Sequence, residues 1–518
     1  MLASTVTFHG GAGHVGGSCA TIESGGFKAL VDCGTAYSDD SPDRSGTSGQ
    51  EGGFSFDPRQ YADLLLTHAH QDHAGRVPEL FKNGFTGTVW VTEPTRELLA
   101  VAWRSQIIYD KSTVRSWRWT TQGKKPGTRV HWRRECEWSQ KIAKANLGTF
   151  SGVFADLQKH LGMTPLASKH AVSCHTCQEL ELSEMLGHVK TVAFNEPFRL
   201  GPFKVTYSSV KHIPGAASIR FEDSEGACLF SGDLGSLRSH LVTSIEPAEK
   251  ADAVFIESTY GDAAHGTQQE MEQEYASFRT VVGRTVKAGG IAWIPAFALD
   301  RSQRVLLEVK RGMDEGSIPV DTPIYYLSPS SREFMQLYVD HPEWFDVPDM
   351  AAVAPLFRKS RKNFNPKAKF RNGAVLVTTS GMMDTGFSLR YVPDLIPLAS
   401  TTVCLVGYQS PGTCGHQLKM IAAGKSQERI VRVQEEGETR EFPVNASVHV
   451  FGCFSGHGDA QENDAWLANN KTSHVYLVHG DQKRLAERAK GLRTRLGCTT
   501  EVVEPEKAYR ITAKKPRD

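Results

Sequence analysis

The chain has 518 residues, too many for one compact domain, so two or three are expected. Its 59 Lys and Arg against 58 Asp and Glu leave a formal charge of +1, which excludes a globally basic nucleic-acid binder. Any anionic partner must then meet a local basic region or bound metal. No run of about 18 apolar residues indicates a membrane span, and the N-terminus lacks the basic-then-apolar pattern of a signal peptide. The ten cysteines, spread from Cys19 to Cys498, fit reduced thiols rather than a disulfide framework, and a cytoplasmic protein is expected.

In chain order, residues 1 to 35 alternate strand-like runs with glycine-rich turns, and the run Lys28 to Val31 ends in Asp32, Cys33 and Gly34. Asp32 should stand at a sheet edge and orient a ligand histidine; a plain turn aspartate is the alternative. Residues 37 to 58, rich in Ser, Asp, Gly and Pro, read as an exposed loop. The apolar run at Leu64 is followed by His68, His70, Asp72 and His73. A strand ending in His-x-His points both imidazoles to one side, and a turn then lets Asp72 and His73 face a second position. Imidazole and carboxylate donors of this kind suit Zn²⁺.

Residues 77 to 81 read as a short helix and 87 to 92 as a strand, which supports a layered α/β architecture. Residues about 105 to 190 break that pattern, with tryptophans such as Trp117, Trp132 and Trp138 set among many Arg and Lys. These could stack bases and track phosphates, or form an ordinary helical insertion with a solvated face. Cys174-His-Thr-Cys177 there is a weak zinc signal without a second pair.

Beyond it, His212 falls in a loop between two strands, and apolar strands end in Asp233 and Glu257 as one does in Asp32. A parallel or mixed sheet with its functional residues at one edge predicts this recurrence. Residues 263 to 446 read as a second α/β unit, with helices over 266 to 287 and 299 to 313 and strands near 290, 324, 374 and 402. The end returns to ligand chemistry with His457 and with His479, which again closes an apolar strand. Lys514 to Arg517 reads as a frayed basic tail.

His68-x-His70-x-Asp72-His73, with Asp32, His212 and Asp233, resembles the metallo-β-lactamase fold. Glu257 in Glu-Ser-Thr-Tyr-Gly, His457 in Phe-Ser-Gly-His and His479 in Leu-Val-His-Gly resemble the further motifs of its β-CASP branch, whose members include RNA- and DNA-cleaving nucleases. The resemblance implies an α/β fold: a metallo-β-lactamase αββα sandwich over residues 1–262 and 447–518, with an inserted β-CASP α/β domain over 263–446. It implies two Zn²⁺ ions, one on His68, His70 and His212, the other on Asp72, His73 and His479, with Asp233 bridging. Glu257 and His457 would form a pair beside the scissile phosphate, with His457 protonating the leaving oxygen. Asp32 and Asp72 would serve catalysis from beside the metals, while Ser328, Ser380 and Lys211 are candidate substrate contacts.

The expected activity is zinc-dependent hydrolysis of single-stranded RNA, most simply endonucleolytic. A histidine at position 479 is the feature that RNA-processing members of the branch share. A 5′–3′ exoribonuclease, a DNA nuclease and an inactive scaffold are the alternatives. The segment 105–190 has no counterpart in the family core and could cap the cleft, select substrate, or bind a second copy or a protein partner.

Overall fold

A computed structural model describes residues 4–36, 53–109, 175–237, 239, 241, 244–346, 349–366, 373–435, 438–468, 470, 472 and 474–512. Most of the tryptophan-rich insertion, with Cys174, lies outside these residues, as do most of the 37–58 loop and the basic tail at 514–517.

Two seven-stranded sheets face each other. In the first, the order is Ala508–Ile511, Ser4–Gly10, Cys19–Ser24, Phe27–Val31, Asp63–Leu65, Thr88–Thr92 and Val189–Val192. In the second it is Thr499–Val502, His474–Val478, Ala253–Glu257, Ala227–Phe230, Ala217–Glu222, Phe203–Ser209 and Phe198–Leu200. Each sheet is antiparallel on one side and parallel on the other. Alternating residues of both sheets, among them Val6, Ile22, Val31, Val205, Ile219 and Phe255, fill one shared core. Phe255 stacks between Phe230 and Tyr476, with ring centroids 5.0 Å and 4.9 Å away. Aromatic pairs of this sort add ~0.5–1.5 kcal/mol each beyond the area they bury. The helices Glu93–Arg104 and Gln482–Leu496 pack on the outer faces of the first and second sheet, which completes the αββα layering.

The inserted unit begins with the helix Gln268–Lys287, started by a capping box between Thr267 and Glu270. Its five strands run in the order Ile324–Tyr326, Ala374–Thr378, Ile291–Pro295, Thr401–Leu405 and Ser447–Val450, and all are parallel. The helices expected over 266–287 and 299–313 are Gln268–Lys287 and Arg301–Asp314. Ser447–Val450, assigned from sequence to the returning sandwich segment, is instead the edge strand of this inserted sheet. His457 is therefore delivered by the chain as it leaves the inserted sheet. The acids at strand ends also belong to two sheets rather than one: Asp32 follows a strand of the first, while in the second Asp233 follows Ala227–Phe230 and Glu257 closes Ala253–Glu257. The recurrence arises because both sheets end their parallel strands at the same rim, where loops of layered α/β folds gather function.

Candidate metal centre and catalytic pair

The rim is built from loops that follow parallel strands. His68 and His70 lie past the end of Asp63–Leu65, not within it, so strand alternation does not aim them. A loop and the single helical turn Gln71–Ala74, preceded by His70, place the donors instead. That turn is docked on the loop after Phe27–Val31 and the one before Cys19–Ser24: Cys33 N donates to His73 O at 2.7 Å, Thr35 N to Gln71 O at 2.8 Å and Ser18 N to Asp72 O at 2.9 Å. Gly34 makes the docking sterically feasible, since a Cβ there would stand 1.7 Å from Asp72 O.

Donor atoms of His68, His70, His212 and Asp233 all lie within 4.8 Å of one another, and so do those of Asp72, His73, Asp233 and His479. This is the partition expected from the sequence, with Asp233 common to both sets. His70 Nδ1 stands 3.1 Å from both His68 Nε2 and His212 Nε2. Asp233 is 1% exposed; its Oδ1 is 3.2 Å from His73 Nε2 and its Oδ2 is 3.6 Å from His68 Nε2. His479 Nε2 is 3.4 Å from Asp72 Oδ2.

The backs of the imidazoles decide which nitrogen faces inward. Thr67 Oγ1 donates to Asp32 Oδ2 at 2.9 Å, so it accepts from His68 Nδ1 at 3.0 Å. His73 Nδ1 donates to Asp32 Oδ2 at 2.7 Å, and His212 Nδ1 donates to Gly456 O at 2.9 Å. Thr259 Oγ1 donates to Glu257 Oε2 at 2.7 Å and so accepts from His479 Nδ1 at 3.1 Å. In each case the Nδ1 proton is spent outward and Nε2 is turned toward the centre, as second partners of ligand histidines do.

The charges fit cations between these groups. Burial pushes the His68 and His212 imidazoles well below their ordinary value, so both are neutral bases whose lone pairs converge on His70. Burial also opposes charge on His73, but Asp233 and Asp32 overcome it and hold that imidazole well above its usual range. A cation on His73 Nε2 would replace the proton that Asp233 now demands. Among the described residues, both Asp233 carboxylate oxygens, His73 Nε2 and His479 Nε2 are buried without a well-formed hydrogen bond. Buried polar atoms of this number are costly unless something else satisfies them. The residues therefore fit a pair of divalent cations, the first on His68, His70, His212 and Asp233, the second on Asp72, His73, His479 and Asp233.

Beside them, Glu257, 1% exposed, accepts from Leu234 N at 2.9 Å and Thr259 N at 3.1 Å, and its Oε1 is 3.1 Å from His457 Nδ1. His457 is less buried, and burial lowers its pKa, but Glu257 and Asp233 outweigh that and raise it to about 9. With Nδ1 donating to Glu257, the remaining Nε2–H is the proton to give. Ser455 Oγ accepts from His457 N at 3.2 Å and from Tyr260 OH at 2.8 Å, which fixes the loop.

The other expected residues are placed as follows. Ser328 and Ser380 follow the strands Ile324–Tyr326 and Ala374–Thr378, at the inserted-sheet edge that also carries the 296–300 loop. Ser328 caps the helix Pro329–Asp340, and Ser380 Oγ donates to Asp384 Oδ1 at 2.5 Å. Lys211 Nζ pairs with Asp346 Oδ1 at 2.5 Å. Thr67 and Thr259 were not singled out from sequence. Only their tertiary contacts reveal them, and a Thr directly before a ligand His was the one local signal.

An αββα sandwich with such a donor cluster at its rim is the architecture of a metal-dependent hydrolase. The sequence matches the metallo-beta-lactamase superfamily over residues 12–287, the Beta-Casp domain over 302–418, and the Zn-dependent metallo-hydrolase RNA specificity domain over 441–504. The chain belongs to the metallo-beta-lactamase superfamily, in its β-CASP branch. It is 27% identical to Ribonuclease TTHA0252 of Thermus thermophilus, over 92% of this chain and 93% of that protein. It is 25% identical to the transcription termination factor FttA of Methanosarcina mazei, over 98% and 71%. With cleavage and polyadenylation specificity factor 73 of Drosophila melanogaster it shares 24%, over 92% of this chain and 60% of that protein.

Proposed function

We propose that this protein is a zinc-dependent ribonuclease that hydrolyses phosphodiester bonds within single-stranded RNA. The observation that carries the reading is the juxtaposition of two histidine–carboxylate donor sets on one shared Asp233 with the Glu257–His457 pair, whose His457 Nδ1 is 3.9 Å from Asp233 Oδ2. Bound on these donors, cations supply Lewis acidity, easing deprotonation of an attacking water and offsetting charge on the phosphoryl oxygens. Asp32 and Thr67 hold the inward tautomers of His73 and His68, and Thr259 does so for His479. Glu257 keeps His457 protonated and oriented, so that Nε2–H can pass to the departing oxygen. Ser328 and Ser380 stand at the strand ends along which RNA would run, and Lys211, paired with Asp346, steadies the His212 loop. RNA is favoured over DNA by the named function of the Thermus relative and by the RNA specificity domain, which spans both His457 and His479. Cytoplasmic work on RNA fits a chain in which no described helix is long and apolar enough to cross a membrane.

The test incubates zinc-loaded protein with single-stranded RNA and DNA of equal sequence, labelled at the 5′ end, beside a His457→Ala control. Internal RNA fragments that vanish in the control are expected. Mononucleotides released from the 5′ end would replace the endonucleolytic mode by an exonucleolytic one, and cleavage of DNA alone would overturn RNA as substrate.

A further inference from the structure

The loop leaving the strand Ile291–Pro295 ends in a conformation that a side-chain-bearing residue adopts only at a cost. Asp300 has φ +70° and ψ −54°, and Arg301 N donates to Leu299 O at 2.9 Å. This is the rare, positive-φ form of the γ-turn. The aspartate precedes the helix Arg301–Asp314, yet its side chain makes no capping hydrogen bond to the helix backbone. Strain of this kind persists where the surroundings over-determine it, most often at functional sites.

The carboxylate is 4% exposed and turned toward the sandwich. Its Oδ2 lies 3.8 Å from where a Cβ on Gly456 would stand, and Gly456 O is the acceptor of His212 Nδ1. Arg304 Nε is 2.6 Å from the same Oδ2, and Tyr338 OH donates to Oδ1 at 3.2 Å. Arg304, 5% exposed, then crosses between the domains: Nη1 donates to Ser239 Oγ and Nη2 to the His212 carbonyl at 3.4 Å. One residue earlier, Lys211 has φ +57° and pairs with Asp346 of the inserted domain. His212 is thus held on its backbone from the inserted side, while no other histidine of the donor sets shows such a contact among the described residues.

We infer that Asp300 and Arg304 are positioning residues, an ion-paired strut from the inserted domain that fixes His212 in the first donor set. That set is complete only while the inserted domain is seated; the inference rests on the metal reading of these donors. A buried ion pair is weak evidence for stability; here its contacts join Asp300 of the inserted domain to the His212 carbonyl and Ser239 of the sandwich.

The test uses the full chain loaded with cobalt(II), followed by its visible absorption as a chelator removes it. Three variants are compared with the parent: Asp300→Gly, which relieves the φ strain, Arg304→Lys, which keeps the buried charges balanced but loses the fork, and Asp300→Asn as the conservative change. Outer partners of metal ligands alter metal affinity by roughly 10–100-fold. Asp300→Gly and Arg304→Lys are therefore expected to release one cobalt at least about tenfold faster, on the scale of such outer partners, with the other leaving at the parental rate and Asp300→Asn falling between. Parental release of both ions from Arg304→Lys would overturn the strut, and this variant decides alone if Asp300→Gly does not fold. A parent chain that takes up no cobalt would overturn the donor-set reading itself, and the strut with it.

Discussion

The two donor sets share Asp233 but differ in what stands behind them. The second set is backed from within the sandwich, by Asp32 on His73 and Thr259 on His479. The first depends on His212, whose carbonyl accepts from Arg304 of the inserted domain and whose ring leans on Gly456 O, in the loop that returns from that domain's edge strand. Similar donors thus have different mechanical supports. One position is set by the sandwich rim alone, and the other by how two domains meet.

The most severe way to break this contrast is to remove what the sets share. Asp233→Asn should empty both, lowering cleavage on the order of 10³-fold or more, given the several kcal/mol that metal charge stabilisation supplies. Metal analysis after dialysis checks it, and retention of two ions per chain would show that Asp233 does not bridge. His457→Ala should leave both sets full yet slow cleavage by roughly 10²–10⁴-fold, the span of general acid catalysis. That deficit should shrink on a substrate with a bridging sulfur leaving group, and an undiminished deficit would remove His457 from the proton-donor role. Asp32→Asn weights the sets unequally: metal affinity should fall about 10–100-fold at the second set, where Asp32 meets His73 directly, and less in a cobalt titration of the first, where it acts on His68 only through Thr67. Thr259→Val removes one neutral hydrogen-bonding hydroxyl worth about 1 kcal/mol, so kcat should fall only about fivefold.

What the sequence disclosed follows the distance over which information had to travel. His68, His70, Asp72 and His73 fall within six residues and declare metal chemistry locally. The reason first given for their aim, strand alternation, does not hold, because the strand stops at Leu65 and a loop places them. Asp233 and His479 showed as residues closing apolar strands and His212 as a loop histidine, but their metal sets, and the role of His457, became legible only through the family resemblance, since separations such as the 142 residues from His70 to His212 carry no local pattern. The strand-then-acid device was visible three times, but its division between two sheets was not, because apolar strand runs do not say which sheet they join. Thr67, Thr259 and Arg304 were silent. A threonine or arginine gains its meaning from what its one hydroxyl or guanidinium meets in space.

The edge strand Ser447–Val450 gives this layout an evolutionary consequence. Because the segment leaving it carries His457 to the rim, where Gly235 and Glu257 of the sandwich hold it, and bonds Gly456 O to His212, the proton donor depends on both units. A lineage that exchanged the inserted unit for another would keep most metal donors but forfeit the acid and loosen one ligand together. The two units must then be inherited as one piece, and substitutions along their seam should co-vary more tightly than those in either core.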